Sequence, residues 1–118
     1  MNIEECRNYC LSKGFVTESF PFDEQTLVFK IDNKMFALSS LEKLPASINL
    51  KCNPERSIEL RAKYNEITSG YHMSKKHWNT VQIDGNLTSS VIKELIDHSY
   101  ELVVKGLSKK RQKELGFT

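Results

Sequence analysis

An α+β fold, a two-layer sandwich whose antiparallel sheet is covered on one face by helices, is what this 118-residue chain predicts. Apolar residues recur at helical spacing near both ends of the chain and once in its middle. Elsewhere the pattern switches to alternation, the mark of strands with one buried face. The alternating stretches follow one another across short polar turns, which makes neighbouring strands antiparallel.

Ile3 to Lys13 reads as a helix from the stripe Ile3, Cys6 and Cys10, closed by Gly14, a residue suited to the left-handed backbone beyond a helix end. Phe15 to Phe20 follows as a strand broken by Pro21. Thr26 to Ile31 alternates Leu27, Phe29 and Ile31 against Val28 and Lys30. Lys34 to Leu38 pairs back across Asp32-Asn33, whose types tolerate the positive φ of a tight hairpin. Ser47 to Cys52 sets Ile48, Leu50 and Cys52 on one face. Asn53-Pro54-Glu55 opens a helix: Asn caps it, Pro loses no hydrogen bond at the first position, and the acid meets the positive end of the dipole. Leu60, Tyr64 and Ile67 form the buried stripe of that helix, which is expected to end before Ser69-Gly70. A strand over His77 to Ile83 is turned by Asp84-Gly85. The last long helix opens near Thr88 to Ser90 and carries Ile92, Leu95, Ile96, Val103 and Leu107, with a break at Gly106 and a short basic helix over Ser108 to Leu115. Residues 1–118 read as one domain, with no repeat and no linker.

A content of 39% hydrophobic and 27% charged residues is that of a soluble globule, not of a disordered or membrane protein. The opening Met-Asn-Ile-Glu-Glu-Cys-Arg does not fit a secretory signal, and no apolar run approaches bilayer-spanning length. A cytoplasmic monomer without a membrane partner is the expectation. The three cysteines, Cys6, Cys10 and Cys52, are odd in number and sit in regular elements, so reduced thiols fit. Cys6 and Cys10 share a helical face, where two thiolates have metal-ligand spacing. With no CxxC and no neighbouring His, they read instead as small buried hydrophobes. No cofactor is expected.

The net charge of +2 is too small to indicate a polyanionic partner. Its distribution says more: residues 1–69 carry nine Lys and Arg against ten acids, residues 70–118 eight against five. The excess gathers at His72, Lys75, Lys76 and His77, and again at Lys105, Lys109, Lys110, Arg111 and Lys113. The second cluster suits a solubilising end.

The run Gly70-Tyr71-His72-Met73, then Lys75-Lys76-His77-Trp78-Asn79-Thr80-Val81, resembles the signature of the MmcQ/YjbR family. So do Phe29-Lys30-Ile31 with Lys34-Met35-Phe36-Ala37-Leu38, Asn49-Leu50-Lys51-Cys52 before Pro54 and Leu60-Arg61, Asp84-Gly85, and Leu95 to Val103. Two positions depart from the pattern: Ser69 stands for Pro before Gly70, and Ser74 for Asn. The resemblance implies a frataxin-like (CyaY-like) topology and a DNA-binding role akin to double-winged domains, with a hairpin edge and the signature loop against the duplex. Read as chemistry, Lys75, Lys76 and protonated His72 and His77 donate to phosphates, Asn79 and Asn49 add neutral donors, Lys51 and Lys30 widen the patch, and Tyr71 and Trp78 supply aromatic surface. With no cluster of Arg and Asn on a recognition helix, binding is expected to be weak in sequence specificity. A protein partner docking on the same aromatic and cationic surface is the alternative. Trp78 also suits a core or sheet-covering side chain, and Tyr71 and Met73 suit plain packing of the loop onto the sheet.

No GxSxG, glycine-rich phosphate loop or HExxH is present, so an enzyme is not expected. His72 and His77 lack a third ligand. Glu4, Glu5, Glu18, Asp23 and Glu24 are too few, and too interrupted by Arg7 and Lys13, to gather hard cations in the way of a frataxin ridge.

Overall fold

Residues 1–70 and 73–117 are described by the computed structural model of the chain. Alternation becomes a six-stranded antiparallel sheet in the order β1-β2-β3-β4-β6-β5, built from β1 (Val16–Ser19), β2 (Thr26–Ile31), β3 (Lys34–Ser40), β4 (Ser47–Lys51), β5 (Ile67–Ser69) and β6 (Trp78–Gln82). Helices α1 (Ile3–Leu11), α2 (Pro54–Lys63) and α3 (Ser89–Gly106) cover one face, and the short α4 (Lys109–Glu114) follows. The two-layer α+β expectation holds. Among the described residues no helix is long and apolar enough to cross a membrane.

Each helix begins where its cap is. Asn2 and Glu5 form a reciprocal capping box at α1, Asn53 accepts from the Glu55 and Arg56 amides with Pro54 behind it, and Thr88 accepts from the Val91 amide. The covered face is filled by Leu27, Phe29, Ile31, Ile48, Leu50, Val81 and Ile83 from the sheet and by Cys6, Cys10, Ile92, Leu95, Ile96, Tyr100 and Val103 from the helices. Burial pushes the Cys6 thiol up to about 11 and the Cys10 thiol to about 12, so both stay protonated as small core side chains. Arg7 to Glu18 and Lys13 to Asp97 tie α1 to β1 and α3, and the Tyr100 hydroxyl donates to the Gly14 carbonyl at 2.6 Å. Among the described residues no buried side-chain polar atom lacks a partner.

Two expectations change. The Leu60, Tyr64, Ile67 stripe does not continue one helix: α2 ends at Lys63, Tyr64 is already extended, and Ile67–Ser69 forms the edge strand β5 against β6, with Ile67 opposite Val81. Ile67 is buried either way, so a helical spacing and a chain reversal leave the same mark in the sequence. Beyond α1, Phe15 and not Gly14 takes the left-handed backbone, at φ 63°. Its ring meets Phe117 edge-on at 6.0 Å, a contact that helps offset the strain of roughly 1–2 kcal/mol at such a residue.

The β2–β3 hairpin turns on Asp32 and Asn33 at φ 49° and 62°, as their types predict. One residue breaks its register: Lys30 pairs with Met35 but Phe29 with Ala37, so Phe36 is an extra, bulged residue. The bulge lets Phe36 turn inward onto Tyr100, ring centroids 5.4 Å apart, while Met35 keeps to the far face with Lys30. Pairing between β3 and β4 covers Ala37 with Leu50 and Leu38 with Asn49, short of the Lys34 and Lys51 ends. There the buried Ser99 hydroxyl of α3 clips the strands instead, donating to the Phe36 carbonyl and accepting from the Lys51 amide at 2.9 Å.

Candidate nucleic-acid interface

Antiparallel register brings residues distant in sequence to one end of the sheet. Lys51 pairs with Trp78, Lys34 with Ile31 and Lys30 with Met35, so the last residues of β2 and β4 and the first of β3 and β6 share that end. The C-terminal turn of α3 reaches the same place, since Leu102, Val103 and Gly106 line a cleft with Lys34, Met35, Lys51 and Trp78.

The signature loop enters from this end through a turn. The Ser74 carbonyl accepts from the His77 amide at 3.2 Å and the Trp78 amide at 2.9 Å, so Lys75, Lys76 and His77 sit on one tight reversal. All three are exposed. The loop is held from both sides. The Cys52 amide donates to the His77 carbonyl at 2.8 Å, and the Gly70 amide to the Trp78 carbonyl at 2.9 Å. Gly70 has to be glycine: a Cβ there would stand 2.8 Å from the Trp78 Cβ and 3.2 Å from its carbonyl oxygen.

Arg61 of α2 supplies the third attachment. Its Nε donates to the Asn79 Oδ1 at 2.7 Å and its Nη2 to the carbonyls of Lys75 and Trp78, the latter at 3.1 Å. The Asn79 amide nitrogen in turn donates to the Ser57 hydroxyl at 3.3 Å. Asn79 thus departs from its expected role as a surface donor. It is 2% exposed and lies on the helix side of β6, in phase with core Val81, where it seats Arg61. Asn49 accepts from the Thr80 hydroxyl at 2.6 Å on the opposite face. Neither Arg61 nor Lys34 was among the expected site residues. Leu60-Arg61 in the family pattern is the sequence signal that points to the first, and the hairpin register that places the second is not a local property.

Lys30, Lys51 and Trp78 are half-buried, and Lys34, Lys75, Lys76 and His77 are exposed. Among the described residues no carboxylate pairs with any of these five lysines, and Asp32 at the hairpin tip is already held by Arg111 at 3.0 Å. Tyr71 and His72, also expected here, lie outside the described residues. Met73 stands on the sheet face away from the helices, lining a groove of about 460 Å³ with Phe22, Met35, Leu38 and Asn49. Among the described residues no three His, Cys, Asp or Glu side chains gather in a group fit to hold a metal ion.

The YjbR family model matches residues 11–102. Over 112 residues the chain is 38% identical to the uncharacterized protein YbdF of Escherichia coli O157:H7, covering 95% of this chain and 92% of that one. It is 34% identical to the uncharacterized protein YjbR of Escherichia coli K12 over 116 residues, 98% of each. A crystal structure of Deinococcus radiodurans protein DR2400, described as a DUF419 domain, superposes with a TM-score of 0.93 at 40% identity, over 99% of this chain and 89% of that one. A Pseudomonas syringae protein superposes with a TM-score of 0.75 at 31% identity, over 86% and 98%. With the family pattern spread over most of its length and the fold shared, the chain belongs to the YjbR family.

Proposed function

We propose that the chain is a non-catalytic DNA-binding protein of weak sequence specificity that contacts phosphates through the cationic end of its sheet. One observation carries this reading: Lys30, Lys34, Lys51, Lys75 and Lys76 come to one end without carboxylate partners among the described residues, around a half-buried Trp78. Ammonium groups left unpaired by the protein are free to replace counterions along a polyphosphate, the term that supplies most non-specific affinity. The β2–β3 hairpin carrying Lys30 and Lys34 would lie on one side of the strand and the Ser74 to Trp78 turn on the other, in the manner of paired wings. Among the described residues the lysines stand on strand ends and a turn and not on a helix, which leaves base-edge readout without a recognition helix.

Fluorescence anisotropy with labelled DNA tests it. Binding should fall steeply with salt, with a log-log slope of about −0.9 per duplex phosphate contacted, and Lys75→Ala/Lys76→Ala should flatten that slope by roughly two units. No binding at low salt would overturn the reading. It would favour a protein partner on the same surface, which an aromatic ringed by cations also suits.

A further inference from the structure

The cleft at the cationic end has a construction that phosphate binding alone does not need. Its walls are Met35, Leu102 and Val103, Trp78 stands beside them, Lys34 and Lys51 are its two cations, and the bare backbone of Gly106 completes the lining. It lies where β3–β4 pairing stops short of the strand ends, so that Met35 and Lys51 are not paired in the ladder and the Ser99 hydroxyl spans the two strands. The volume, about 310 Å³, stands at the small end of ligand sites. An apolar, aromatic-walled slot with two lysines suits a flat ring that carries a phosphate. A base inside a duplex has both faces stacked on its neighbours and presents neither to Trp78.

We infer that this cleft receives one unpaired nucleotide, its base against Trp78 and its flanking phosphates on Lys34 and Lys51, so that the chain prefers single-stranded or strand-end DNA to closed duplex. The inference rests on the DNA reading above and names the form of DNA. Sequence tolerance follows, because every base has a face to stack. A free mononucleotide offers the same chemistry, and the two sources separate by experiment.

Trp78 is the chain's one tryptophan, so the unaltered protein reports on the cleft through its intrinsic fluorescence. The probes are a short thymidine oligonucleotide, an abasic phosphodiester of equal length, a covalently closed duplex circle, which the cleft should leave unbound beyond its phosphates, and thymidine monophosphate. The thymidine strand should quench Trp78 and bind roughly fivefold or more tighter than the abasic strand, the effect of stacking one base. Gly106→Leu, where a Cβ meets nothing within 4 Å, should fill the slot at an unchanged melting temperature and bring the thymidine strand down to the abasic affinity. Equal affinities for thymidine and abasic strands without quenching would overturn the inference and leave the DNA reading standing. Failure of every strand and duplex to bind at low salt would overturn both. Monophosphate binding as tightly as the strand would overturn the strand preference in favour of a free nucleotide.

Discussion

The two ends of the sheet treat their charges in opposite ways. At the end bearing the Phe20 to Gln25 and Leu41 to Ala46 loops, carboxylates are used by the fold: Asp23 accepts from the Gln25 and Thr26 amides at 2.8 and 2.7 Å, and Asp84 from the Ala46 amide and the Gln82 side chain. Those backbone bonds hold Asp23 below the usual carboxylate range. At the other end Arg61 and Arg111 are the cations consumed by structure, and the lysines beside them are left over. The apolar groups exposed at the acidic end, Phe20, Phe22, Leu41 and Leu44, have no counterpart among the described residues of the signature turn. A net charge of +2 therefore hides a molecule with two unlike poles. Charge that supports loops and charge available to a ligand are told apart by partners, not by counts.

Breaking Arg61 should have the largest effect. Arg61→Met strips the Lys75 and Trp78 carbonyls and leaves the buried Asn79 Oδ1 without its donor, so denaturant melting should show a loss of about 3 kcal/mol and weaker DNA binding at once. Arg61→Lys should recover little of this, since one ammonium cannot span three acceptors arranged for a fork. An Arg61→Lys variant indistinguishable from the parent would mean that the brace does not set the turn. Gly70→Ala comes next, at about 1–3 kcal/mol, because its methyl would be forced against the Trp78 Cβ and carbonyl. A chevron or equilibrium unfolding curve measures it directly.

A smaller effect concerns pH. The neutral Nε2 of His98 accepts from the Asn53 amide at 3.2 Å, and burial, followed by the nearby Arg56 charge, lowers its proton affinity below the ordinary value of 6.5; Glu94 and Glu101 oppose that shift and Lys105 reinforces it. The unfolded chain then binds the extra proton first. The His98 contribution is fully present above 6.5 and is lost as pH falls through that value toward the lower native one. His98→Gln, which keeps an acceptor that does not titrate, should flatten the acid limb of a stability-pH profile. An unchanged limb would assign the acid sensitivity to other groups.

The smallest stability effect sharpens the contrast between the poles. Lys75→Ala/Lys76→Ala should alter stability by no more than about 0.5 kcal/mol, because both side chains are exposed and make no ion pair among the described residues. Asp23→Ala should lower the melting temperature, because the Gln25 and Thr26 amides lose the carboxylate oxygen they donate to, while leaving the salt slope of DNA binding alone. If Asp23→Ala changed the slope as much as the lysine pair does, the separation of the poles would be void.

Much of the fold is legible because it is local. Asn53 and Pro54 announce α2, Asp32-Asn33 the hairpin, and the spacing of Ile92, Leu95, Ile96 and Val103 the long helix, since caps, positive-φ turns and helical stripes depend on neighbours within a few residues. Part of the site was legible for the same reason: Lys75, Lys76 and His77 are adjacent, and a tight turn exposes adjacent residues together.

What the chain alone determined, then, is where most of the helices and strands lie and how much positive charge the molecule holds. Tertiary structure decided that Ile67 joins an edge strand, that Asn79 faces inward to seat Arg61, that Lys30, Lys34 and Lys51 share one end of the sheet with the signature turn, and that Leu102 and Val103 come beside Met35 and Trp78 in one cleft. The reason is register. A one-residue shift along a strand reverses which face every side chain meets, and that shift is set by pairing across the sheet, between residues that no short window of sequence contains together.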